Sequence, residues 1–228
     1  MSVVTNKTYE CLGREKNRFR IIDETGEDYL YPIEDFKIIE EEETPVQDNY
    51  IYVMFSQTGT WFSTFLRYWT QTQYNHSSIS FDPTLTDLYS FGRMSIKEKP
   101  WQGRFIVEGK NRGVFAEKPK TTCHVFKLAV SEQQLKKAKE IVARFEREAP
   151  KYKYNIAGLP HVWLGIAWER KYHYFCSSFV AYVLQNAGIL DFGKSYSVLK
   201  PKDLRRMLRS ESLYEGLLTE YKGDVLVK

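Results

Sequence analysis

Two stretches, "YNHSSISFD" (residues 74–82) and "YFCSSFVAYVL" (residues 174–184), decide how this chain is read. The second opens an apolar run at helical spacing. Phe179, Val180, Val183 and Leu184 share one face, and Gly188 is placed to end the helix as its C′ residue. Cys176 stands where this helix begins. There a thiol feels the positive end of the peptide dipoles and the unpaired N–H groups, and both favour the thiolate. The first stretch alternates like a strand, with His76, Ser78 and Ser80 on one face and Ser77, Ile79 and Phe81 on the other. A histidine that starts a strand beside small polar residues projects into a cleft. Should the two stretches meet, they form a nucleophile and its base, and a third group must orient the imidazole through its other nitrogen. The following run, "DLYSFGR", offers Asp87 and Ser90 for that task. Ser90 fits the strand register better; Asp87 is chemically the stronger partner.

Outward from this pair, "YIYVMFS" reads as a buried strand, and "QTGTWFSTFLRYWTQ" as a turn followed by helical spacing at Phe62, Phe65, Leu66 and Trp69. "GRFIVEG" and "CHVFKLAV" read as strands. "SEQQLKKAKEIVARFERE" is a helix with a capping box of Ser131 and Gln134 and an apolar stripe through Leu135, Ala138, Ile141, Val142 and Phe145. "KPKDLRRMLRS" is a further helix with Pro201 near its first turn. Toward the N-terminus, "KTYECLG", "RFRIID" and "YLYPIEDFKII" are short strands joined by polar turns, the last a strand pair broken at Pro32. They predict a small β-barrel over residues 1–40 that resembles SH3-like modules. The acidic, unpatterned residues 41–49, with Pro45, form a linker, and residues 50–228 form the main domain.

The order of these blocks carries a family resemblance. A strand–helix–strand start, then "YNHSSISFD", "LYSFGR", a helix and finally "YFCSSFVAYVL" resembles the circularly permuted papain-like amidases. These form the permuted branch of the NlpC-type peptidase superfamily, related to the YiiX-like and lecithin:retinol acyltransferase-like proteins. The resemblance implies an α+β fold, a permuted papain-like domain with an antiparallel sheet packed on helices, behind the small SH3-like barrel. It implies Cys176 as nucleophile, His76 as general base, and Ser90, on the strand after His76, as the third catalytic residue. A serine there departs from the His, Glu, Asn or Gln usual in the family. The backbone N–H of Cys176 would be one oxyanion donor, and Tyr52 or a group in "SQTGTW" the second. The implied activity is hydrolysis of an amide bond in a peptide, peptidoglycan-fragment or lipid-amide substrate through an acyl-enzyme. The alternatives are a lipid acyltransferase or thioesterase of the same fold, and a non-catalytic binding module.

Composition sets the frame. Over 228 residues the net charge is only +4, which gives no ground for a nucleic-acid partner. There is no apolar run long enough to span a membrane and no leader-like N-terminal segment, so a cytoplasmic protein is expected. Cys11, Cys123 and Cys176 form an odd set without framework spacing, which predicts reduced thiols. A zinc site drawn from Cys123, His124, His173 and Cys176 lacks any C-x-x-C pair, so no metal or cofactor is expected. Cys11, Cys123, His161 and most of the tryptophans read as packing residues.

Overall fold

The computed structural model describes residues 3, 4, 7, 9, 11–36, 49–59 and 73–223. The expected helix over 62–69 and, apart from Asn49, the expected linker over 41–49 lie outside the described residues. The chain divides into two compact units, Met1–Gln47 and Asp48–Lys228.

In the first unit, strands β1 (Cys11–Glu15), β2 (Arg18–Ile22) and β3 (Asp28–Pro32) form an antiparallel sheet in the order β1-β2-β3. The turn between β2 and β3 is built on Asp23. Its side chain accepts from the Thr25 amide (2.8 Å) and the Tyr31 hydroxyl (2.5 Å), and its carbonyl accepts from the Gly26 amide (3.0 Å). Of the strand pair expected around Pro32, the first strand is β3, while residues 37–39 of the second lie outside the described residues. The chain passes from β3 into a single 3-10 turn, Ile33–Asp35. Proline has no N–H to extend the ladder, and its fixed φ suits the start of a turn.

The second unit is α+β. Eight strands form one sheet in the order β10-β9-β7-β6-β5-β4-β8-β11. Its centre is β4 (Tyr50–Gln57), which pairs antiparallel with β5 (His76–Ser80) on one side and β8 (Thr122–Ala129) on the other. β4 is apolar almost throughout because both of its faces are covered. β6 (Leu88–Gly92) and β7 (Arg104–Glu108) follow beyond β5. β9 (Lys153–Tyr154) and β10 (His173–Tyr174), a parallel pair, close that edge, and β11 (Ser212–Leu217) closes the other.

The first described helix, α1 (Val114–Glu117), is a single turn. Next come α2 (Glu132–Arg147), α3 (Leu159–Leu164), α4 (Cys176–Asn186) and α5 (Pro201–Met207). α2 carries the capping box that its sequence predicts. The Ser131 hydroxyl accepts from the Gln134 amide at 3.2 Å, and the Gln134 side chain accepts from the Ser131 amide at 2.9 Å. Phe179, Val180, Val183 and Leu184 of α4 are wholly buried with Phe55, Ile79, Phe91, Phe105 and Phe145. Each such side chain contributes about 2 kcal/mol of hydrophobic stabilisation. Gly188 takes a positive φ of 72° just past the helix, the left-handed conformation that glycine adopts without strain. α4 is thereby fixed along its whole length, and its first residue is fixed with it. A second cluster, including Met54, Leu88, Phe115 and Val125, packs separately. Among the described residues no helix is long and apolar enough to cross a membrane.

Candidate active site

Cys176 is the first residue of α4 and is 4% exposed. The helix start carries no side-chain cap, so the N–H groups of its first turn face the surroundings of the thiol. The Ser178 hydroxyl ties the turn down by accepting from the Phe175 amide at 2.8 Å. Ser177 anchors the other side by donating to the Leu199 carbonyl at 2.7 Å. The thiol points at the start of β5 and donates a long contact, 3.9 Å, to the carbonyl of Asn75.

His76 follows Asn75. Its Nε2 lies 2.7 Å from Glu108 Oε1. The same carboxylate oxygen accepts from the Ser78 hydroxyl at 2.7 Å. His76 and Ser78 therefore share a face, as the alternation of "HSSIS" predicts. Glu108 is the last residue of β7 and is 2% exposed. With Nε2 committed to Glu108, Nδ1 is the nitrogen left for the thiol. The ring of His76 lies beside that of Phe115, with centroids 6.3 Å apart, and against the backbone of Gly92. A Cβ at Gly92 would come within 3.3 Å of His76 Cε1.

The electrostatics follow from this packing. Burial pulls the His76 pKa down, but the charge of Glu108 and the interaction with Cys176 outweigh it and raise it to about 10. Burial pushes the Cys176 thiol up. The hydrogen bond and charge of His76, then the amide and hydroxyl of Ser77, overcome that and leave it below its ordinary 9.0. The pair is biased toward thiolate and imidazolium. Tyr154, on β9, also meets the sulfur. Burial first, then the negative charge on Cys176, hold its phenol well above 10, so it remains a neutral donor. By contrast, burial pushes Cys123 up to about 12, the behaviour of an inert packed thiol.

Of the three residues expected at the site, the structure brings Cys176 and His76 together and leaves Ser90 aside. The Ser90 hydroxyl donates to the backbone carbonyl of Ser77 at 2.6 Å. Asp87, the other choice, pairs with Arg112 on the surface. The expected place of Ser90 beside the ring is therefore corrected: the residue that His76 meets is Glu108. The physical reason is strand order. β7 lies one strand beyond β6, and Ser90 and Gly92 are small residues on the face that a long carboxylate must cross. The signal in sequence was a lone Glu ending the apolar strand "RFIVE". Tyr52 is corrected as well. It pairs with Ser80 and packs in the second cluster, four residues along β4 from Ser56, the partner of His76. That is roughly 13 Å away along the strand. Thr60 and Trp61 of "SQTGTW" lie outside the described residues. Tyr154 was missed because nothing in "KYKYN" marks it among many tyrosines. His124 and His173 find partners of their own, in Ser212 and the Lys171 carbonyl. Among the described residues no cluster of His, Cys, Asp and Glu could hold a metal ion.

No family model, no curated protein and no solved structure matches this chain.

Proposed function

We propose that the protein is a cysteine-dependent hydrolase of amide bonds, its larger unit arranged as a permuted papain-like domain and its smaller one as an SH3-like docking module. One observation carries this reading. The His76 ring meets a buried carboxylate at 2.7 Å through Nε2 and interacts with the helix-start thiol of Cys176, which is turned toward the same strand start. The reading is supported further by chain order, with the His strand ahead of the Cys helix, since such sites are defined by geometry and not by sequence position.

In this mechanism Nδ1 of His76 holds the proton of Cys176, and Glu108 stabilises the resulting imidazolium. The thiolate attacks the amide carbonyl, forming the S–C bond and a tetrahedral oxyanion. The backbone N–H at the start of α4 and the neutral Tyr154 hydroxyl are the donors for that oxyanion. The imidazolium then protonates the departing amine as the C–N bond breaks, leaving an acyl-thioester. His76 next removes a proton from water, which releases the carboxylic acid and regenerates the thiol.

Alkylation by iodoacetamide, read peptide by peptide by mass spectrometry, tests the reading, because it separates Cys176 from the exposed Cys11. Cys176 is expected to react with a midpoint below pH 9, moving upward in His76→Ala as burial is then opposed by Ser77 without the imidazole. Amine release from peptide amides is expected to vanish in Cys176→Ala. An unchanged midpoint in His76→Ala, or amine release that survives loss of the thiol, would refute the assignment.

A further inference from the structure

One cleft in the larger unit is built around cations. Lys202, Arg205, Arg206 and Arg209 line a cleft of about 600 Å³. Their spacing of three, four and seven residues puts them on one side of α5 and the turn that follows. Leu204 and Leu208 anchor the opposite side, 0% and 1% exposed. None of the four cations forms an ion pair among the described residues. The lining holds one carboxylate, Glu215, which accepts from the Tyr74 hydroxyl at 2.8 Å. Arg205 lies over the Tyr74 ring, 4.9 Å from its centroid. In the same lining the exposed Ser212 hydroxyl is bonded to Nε2 of His124, at 2.8 Å, and His124 is 7% exposed.

Like charges at these spacings repel, and on a helix face they cost stability unless an anion offsets them. A plain solvated face would alternate in sign or carry carboxylates at the same spacing. Here the cations converge on a concavity whose volume matches small-molecule sites. Guanidinium groups offer paired N–H donors that fit phosphate oxygens two at a time. The Ser212 hydroxyl, held by a buried ring, adds a neutral polar group to the same lining.

We infer that this cleft binds a small soluble phosphate-bearing ligand, gripped by Arg205 and Arg209 with the Ser212 hydroxyl in the lining beside them. The inference is independent of the chemistry proposed at Cys176.

Calorimetric titration with inorganic pyrophosphate, at low salt, tests it on the full chain. One-to-one saturable binding is expected. It should weaken at least tenfold in the Arg205→Gln/Arg209→Gln double variant and about threefold in Ser212→Ala. It should change less than twofold in Lys151→Gln, which removes a cation outside the cleft, and in Cys176→Ala. Circular dichroism checks that each variant is folded. No saturable binding, or equal weakening by Lys151→Gln, would overturn the inference. So would a preference for a DNA duplex with stoichiometry set by its length, since that marks an open polyanion surface.

Discussion

Two histidines on the same sheet, His76 and His124, face a carboxylate each and end in opposite states. His76 meets Glu108 at 2.7 Å, and that carboxylate is 3% exposed. His124 meets Glu215 at 3.6 Å, with 44% of that side chain exposed. Both rings are penalised by burial. For His76 the partner is close and shielded from water, so its field outweighs the penalty and the ring is raised to about 10. For His124 burial dominates, Glu215 only partly offsets it, and Arg205 opposes the proton, so the pKa falls. A nearby acid does not by itself make a base out of a histidine. The distance and the dielectric around the acid decide, because both scale the same Coulomb energy.

The comparison breaks most visibly at Glu108. Glu108→Gln keeps the shape but removes the charge, and kcat for amide release is expected to fall roughly 10³-fold with KM little changed. Ser90→Ala removes only the bond to the Ser77 carbonyl. It is expected to cost about 1 kcal/mol of stability in urea unfolding and to leave kcat within about threefold, far from the loss that follows removal of an orienting group. Equal losses in the two variants would return Ser90 to the orienting role.

Position more than charge is probed at Gly92. Gly92→Val drives a side chain into the His76 ring, and a displacement of this kind is expected to cost about 10²-fold in kcat. Gly92→Ala, whose Cβ sits at 3.3 Å from Cε1, should fall between the variant and the parent. A fully active Gly92→Val would show that the ring is not held by that contact.

The smallest effect is in stability against pH, and it sharpens the contrast. A raised pKa means that charged His76 stabilises the fold fully below about 6.5 and that this is lost as pH climbs through about 10. A lowered pKa means that neutral His124 stabilises it above 6.5, and that this is lost as pH falls through the folded value. Urea unfolding from pH 5 to 10 is therefore expected to show the deficit of His76→Gln shrinking with rising pH. The deficit of His124→Gln should shrink in the other direction, with falling pH. Parallel curves for the two variants would remove the distinction between the rings.

Much of this was legible from local pattern. The helix over Cys176–Asn186, its stop at Gly188, the capping box at Ser131 and the shared face of His76 and Ser78 all depend on residues a few positions apart. Periods of 3.6 and 2 encode them directly. Only Ile33–Asp35 departs, as a 3-10 turn, because a strand and a turn are both open to a chain leaving a proline.

What the sequence determined by itself is the two ends of the candidate site: a thiol at a helix start and a histidine at a strand start, each placed by its own local geometry. What only the tertiary structure decided is everything between and around them. Alternation tells which face a residue is on, but not which strand lies next to which. Glu108 comes 32 residues after His76 and reaches it across the intervening strand β6. Tyr154 reaches the sulfur because β9 pairs with β7 at the far side of the sheet. The cations of α5 line a cleft only because β8 and β11 set His124 and Ser212 against them. Long-range pairing has no period in the sequence, since it is fixed by how the whole apolar surface closes on itself.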